Sequence, residues 1–82
     1  MMTREEVFEK LNDIFRNNFD DDSIELNNET SSADIDDWDS LEQINLVVAI
    51  KVVFHVKFNI DEVNAMKNVG EMVDSILEKM GV

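Results

Sequence analysis

Almost nothing in this chain can interrupt a helix. It has no proline, and its two glycines, Gly70 and Gly81, both lie near the C-terminal end. Proline and glycine are the strongest local punctuators of backbone structure, so a chain of 82 residues with so few of them is predicted to be all-α. Its length suits one domain with one modest core, and we expect residues 1–82 to form a single domain. Apolar residues make up 44% of it, enough to build that core despite a formal net charge of −12.

Capping residues and periodicity divide the chain into elements. Thr3 with Glu6 has capping-box spacing. Val7, Phe8, Leu11, Ile14 and Phe15 follow as one apolar stripe on a helix that should end near Asn17-Asn18. From Phe19 to Trp38 there is no sustained period, which predicts a long loop pinned by Ile24, Leu26, Ile35 and Trp38, with a single helical turn near Ala33 to Asp36. Asp39 and Glu42 repeat the capping-box spacing before a second helix running to Phe54. Phe54, Val56, Phe58 and Ile60 then alternate with polar residues. With no second strand to pair with, the segment is expected to be an extended connection. A short helix from Asn59 or Asp61 to Met66 follows, with Glu62 near its start. A last helix opens at Asn68, with Glu71 at the capping-box position, turns Val69, Met72, Val73, Ile76, Leu77 and Met80 inward, and stops at Gly81. The predicted architecture is a small bundle of three longer helices and one short one, with the long loop between the first two.

The second helix carries more apolar surface than such a bundle can cover. At about 100° per residue its apolar positions form two groups. Leu46, Val47, Ile50, Val53 and Phe54 lie on one side, and Leu41, Ile44, Val48 and Val52 lie opposite. The group containing Phe54 is expected to face the core. The other is expected to be exposed, as a binding strip beginning beside Ser40; the alternative is that the long loop folds back over it.

Several functions are excluded by what the chain lacks. Without cysteine it can form no disulfide and no thiolate nucleophile. Nineteen acidic residues against seven basic ones argue against nucleic acid or anionic membrane as a partner. They favour encounters with basic protein surfaces instead. No apolar run is long enough to span a membrane, and the N-terminal residues lack the pattern of a signal peptide, so a soluble, cytoplasmic protein is expected, and a monomer. Read as an EF-hand loop, the segment from Asp34 puts Trp38 at position five, Asp39 at six and Asn45 at twelve; no metal site is expected, beyond weak and diffuse divalent binding to the acidic loop. His55, the only histidine, has no triad to join and reads as a loop side chain able to gain charge near neutral pH. No catalytic residue is expected. Trp38 reads as an anchor holding the loop beside Ser40, and the methionines as core or end residues.

Ser40 stands at the predicted first position of the second helix. On physical grounds alone it is a helix-start serine whose hydroxyl faces solvent at the positive end of the helix dipole. The run Trp38-Asp39-Ser40-Leu41-Glu42-Gln43-Ile44-Asn45-Leu46-Val47 resembles the modification site and recognition helix of the acyl carrier protein family. The order of elements resembles that family along nearly the whole chain. The resemblance implies that Ser40 receives 4′-phosphopantetheine from coenzyme A through a phosphopantetheinyl transferase. It further implies that the arm's thiol holds acyl groups as thioesters for acyl-loading and acyl-processing enzymes with basic docking surfaces. Asp39, Leu41, Glu42, Ile44 and Val48 would be recognised by those partners, and the protein itself would be no enzyme. Family members often carry glutamates along this helix, where Asn45, Lys51, Val52 and Val53 stand here. That departure favours a dedicated carrier for a polyketide, modified lipid or activated amino acid over the housekeeping carrier of fatty-acid biosynthesis. The competing reading is an unmodified acidic adaptor that docks through the Leu41, Ile44, Val48 and Val52 strip.

Overall fold

Each helix of the computed structural model, which describes residues 3–81, opens on a side chain that accepts a hydrogen bond from the amide three residues on. Thr3 does so for α1 (Arg4–Phe19), Asp39 for α2 (Ser40–Phe54), Asn59 for α3 (Ile60–Ala65) and Asn68 for α4 (Val69–Lys79). These contacts satisfy amides that the helix cannot itself pair. At α1 and α3 the box closes, with Glu6 and Glu62 accepting from the cap's own amide. At α2 and α4 only half of the expected box forms, because each glutamate has another partner. Glu42 accepts from Asn18 and Asn45, and Glu71 accepts from the Lys67 amide.

The fold is all-α, with no strand among the described residues. Helix α1 packs on α2 and α4, and α2 packs on α3. Val7, Leu11, Ile14 and Phe15 of α1 meet Leu46, Ile50 and Phe54 of α2 and Val69, Met72, Val73 and Ile76 of α4 in one core. Phe8, Leu77 and Met80 pack at its edge. Val53, expected inside, is 38% exposed: it stands about 100° around α2 from Phe54, at the margin of the core face. Helix α1 runs past Asn17-Asn18 to Phe19, whose ring sits 5.9 Å from that of Phe15, and ends where Asp20 turns left-handed at φ 52°. Met80 follows α4 and Gly81 has φ 80°, placing the stop where it was expected. No described helix is long and apolar enough to cross a membrane.

The long loop is fastened along its length. Leu26 is buried, while Ile24, Ile35 and Trp38 pack against the core. Polar groups of α1 hold its backbone: Arg16 donates to the Ile24 carbonyl at 2.7 Å, and Asn12 accepts from the Leu26 amide at 2.8 Å. Its far side is stitched to α4, where the Val69 and Gly70 amides donate to the Thr30 and Asn28 carbonyls at 2.7 and 3.1 Å. The helical turn expected near Ala33 to Asp36 occurs as one 3₁₀ turn, Ser32–Asp34. It begins earlier because Ser31 and Asp34 form a capping box of their own. After α2 the chain is extended and unpaired, as expected, with Val56 and Phe58 buried and His55, Lys57 and Asn59 exposed. The Ile60 side chain lies outside what is described, as do Met1 and Met2.

Candidate functional site

The loop delivers Ser40 to the start of α2 through three consecutive constraints. Trp38 comes first: its indole stands edge-on to Phe15 at 5.1 Å and 82°, and its Nε1–H donates to Gln43 Oε1 at 2.5 Å. Asp39 then caps the helix through the Glu42 amide at 2.9 Å. Ser40 is the first helical residue and is exposed. Trp38 is thus the anchor beside Ser40 that the sequence suggested.

No acceptor among the described residues meets the amides of Ser40 and Leu41. A phosphodiester on the Ser40 oxygen would stand beside those two donors and the positive end of the α2 dipole. The nearby carboxylates of Asp36, Asp37 and Asp39 oppose a freely bound anion, but they cannot displace one joined covalently. An open depression of about 210 Å³, lined by Ser32, Trp38, Asp39, Ser40, Gln43 and Asn64, leaves room for a substituent on Ser40. The residues present therefore fit a covalently attached phosphopantetheine.

The apolar strip runs away from Ser40. Leu41, Ile44, Val48 and Val52 are half to two-thirds exposed, so the loop does not fold over them. They span about 16 Å of helix at 1.5 Å per residue. Glu42, half-buried, is tied to α1 through Asn18 at 2.8 Å, whereas Asp39 is exposed. Beyond Glu42 helix α2 has no acid, and Lys51 stands exposed in its last turn.

Three residues of the site escaped the sequence reading: Gln43, Ser32 and Asn64. Gln43 had a signal, since it falls on the helix face that carries Leu46, Ile50 and Phe54. A polar side chain there needs partners, and Gln43 has Trp38 and the Val63 carbonyl, the latter at 3.5 Å. Ser32 and Asn64 carried none. His55 is exposed and turns left-handed at φ 57° to end α2, so its role is a helix stop. Among the described residues no group of three or more His, Asp or Glu side chains is placed to hold a metal. The carboxylates of the long loop surround a wider cleft of about 680 Å³ that does not include Ser40.

No protein-family profile matches the chain. Individual proteins do. It is 32% identical to an acyl carrier protein of Petrotoga mobilis over 81 residues, 99% of this chain and 95% of that one. It is 28% identical to an acyl carrier protein of Lactobacillus acidophilus over 80 residues, 98% of this chain and all of that one. The fold is similar to the solution structure of a holo acyl carrier protein from Geobacter metallireducens, with a TM-score of 0.82 and 46% identity across 89% of this chain and 84% of that one. Near-complete coverage at this identity, on a helical bundle with a serine exposed at the start of its second helix, places the chain in the acyl carrier protein family, as a carrier and not an enzyme.

Proposed function

We propose that Ser40 is the attachment point of a 4′-phosphopantetheine arm and that residues 1–82 act as one carrier domain. The observation that carries this reading is the exposed Ser40 at the first position of α2, held by Trp38 and Asp39 at the head of an exposed apolar strip. In the transfer, the Ser40 hydroxyl gives up its proton and its oxygen bonds to the phosphorus of coenzyme A that carries the pantetheine, while the phosphoanhydride bond at that phosphorus breaks and adenosine 3′,5′-bisphosphate leaves. The arm supplies the thiol that this cysteine-free chain lacks, and that thiol holds the acyl group as a thioester. Asp39 and Glu42 at the head of α2, with Leu41, Ile44 and Val48 along it, form the surface that the transferase and the acyl-handling enzymes read.

The carrier serves a dedicated pathway and not housekeeping fatty-acid synthesis. Supporting this, the outer surface of α2 beyond Glu42 is neutral or basic, carrying Asn45, Lys51, Val52 and Val53. Partners that steer by basic patches along that helix would find little to attract them.

Intact-protein mass after incubation with coenzyme A and a broad-specificity phosphopantetheinyl transferase tests the attachment. A gain of one phosphopantetheine in the native chain and none in Ser40→Ala is expected. No gain under conditions that modify a control carrier would favour an unmodified adaptor. A housekeeping fatty-acid enzyme that accepted the holo form at full efficiency would overturn the dedicated pathway.

A further inference from the structure

Gln43 is the odd residue on the inward face of α2. Leu46, Ile50 and Phe54 of that face are buried in the core, and Gln43 stands half-buried one turn before Leu46. A side-chain amide taken out of water costs free energy that an apolar side chain of similar length does not. Methionine at this position would form helix as well. Packing alone therefore does not call for glutamine.

The amide makes two contacts. Its Oε1 accepts from the Trp38 Nε1–H at 2.5 Å, and its nitrogen reaches the Val63 carbonyl of α3 at 3.5 Å. By its length the bond to Trp38 is the stronger. Trp38 stands just before the cap residue Asp39, and Gln43 stands four residues after it. Those are the two positions at which an apolar pair commonly staples the incoming chain to the first turn of a helix and fixes its entry angle. Here the staple is a hydrogen bond, which sets direction as well as distance. It spans Asp39, Ser40, Leu41 and Glu42, and encloses the smaller tie in which Asp39 accepts from the Glu42 amide. The indole is itself held edge-on to Phe15 of α1.

Ser40 has need of such a tie. It is the first residue of α2, and helix ends fray. During transfer its oxygen must stand close to the phosphorus and in line with the phosphoanhydride bond that breaks. A displacement of about 1 Å can cost such a step about 100-fold.

We infer that Gln43 is a positioning residue for the transfer to Ser40: through its bond to Trp38 it fixes the angle at which the loop enters α2, and so the place of the Ser40 oxygen. The inference rests on Ser40 being the attachment point.

The test measures the kinetics of mass gain with coenzyme A and the broad-specificity transferase, varying the concentration of the full chain. Gln43→Met removes the acceptor and keeps a side chain of similar length. Its kcat should fall about 10-fold with KM unchanged, because the docking strip is untouched and the lost contact acts only in the transfer step. Its thermal midpoint should move by less than about 4 °C, and 15N relaxation should show a lower order parameter at the Ser40 amide but not at Val73 of α4. Trp38→Phe, which keeps a ring against Phe15 and removes the donor, should lose the same factor, and carries the test alone if Gln43→Met does not fold. The double variant should lose no more than either single one, since all three lack the same bond. Native kcat in the single variants, losses that multiply in the double variant, or a slower rate seen only with a matching fall in midpoint would each overturn the inference. No mass gain in the native chain, under conditions that modify a control carrier, would instead defeat the reading of Ser40 itself.

Discussion

The Gly70 amide donates to the Asn28 carbonyl at 3.1 Å, and a β-carbon at position 70 would stand 2.7 Å from that same oxygen. The first turn of α4 therefore lies directly against the backbone of the long loop, closer than any side chain permits. Arg4 reinforces the junction from α1, bonding to Asn28 at 2.7 Å and pairing with Asp74 of α4. The loop that presents Ser40 is thus held at its midpoint by backbone contacts, and at its end by Trp38.

Gly70→Ala should destabilise the fold, although alanine is the better helix former by about 1 kcal/mol. The contact is with backbone, so the loop must shift and the Val69 and Gly70 hydrogen bonds must lengthen. Overpacking of this kind costs about 1–3 kcal/mol, and a net loss of about 1–2 kcal/mol is expected. Urea unfolding should show a lower midpoint at unchanged slope. A midpoint equal to or above the native one would show that the loop yields freely.

That junction also marks what the sequence could and could not disclose. The capping pairs Thr3–Glu6 and Asn59–Glu62 were legible because both partners lie within one turn. At Asp39–Glu42 and Asn68–Glu71 the same spacing located the cap but not the glutamate's partner, since Asn18, Asn45 and the Lys67 amide take the glutamates. Asn18 is a neighbour only after folding, and no local pattern announces it. Val53 was assigned inward by its angle on the helix, but angle alone does not say how far a neighbouring helix extends. The stitching of Asn28 and Thr30 to α4 left one trace, a glycine inside a helix, where the conformational cost calls for a packing reason. The exposure of Ser40 at the head of α2, the exposed strip and the anchoring of Trp38 were legible because they sit within one continuous segment.

Residues on opposite faces of α2 should respond oppositely to mutation. Ile50→Ala, at a fully buried position, should cost about 2–5 kcal/mol. Val48→Glu, on the exposed strip, should change stability by no more than about 0.5 kcal/mol, yet slow modification of Ser40 and acyl loading by disrupting the docking surface. Chemical unfolding and initial rates of mass gain separate the two effects. Unimpaired rates for Val48→Glu would remove the strip from partner recognition.

Charge repulsion should make the fold sensitive to ionic strength. The net charge is −12, and among the described residues ion pairs engage only Arg4 with Asp74 and Lys79 with Glu62. Raising salt from 0.01 to 1 M shortens the screening length from about 30 to about 3 Å, so the thermal midpoint should rise by several degrees. An invariant midpoint would mean that the carboxylates are already too dispersed for self-repulsion to matter.

Glu62 gives a sharper pH test, because its partners are known. The Lys79 ammonium, 2.9 Å from its Oε2, and then the Asn59 amide at 3.1 Å hold its carboxyl below the ordinary value of 4.5. A carboxyl with a lowered folded pKa adds stability that is present above its unfolded value and is lost as pH falls through the folded one. Glu62→Gln should therefore be less stable than the native chain at neutral pH, by a small margin because both groups are partly solvated. The margin should close as pH drops from 4.5 through the lower folded value. Urea midpoints of the two chains across that range measure it directly, and the remaining carboxylates cancel in the difference. A margin that stayed constant into strong acid would mean that it does not arise from the charge of Glu62, and that the Lys79 contact contributes nothing through charge.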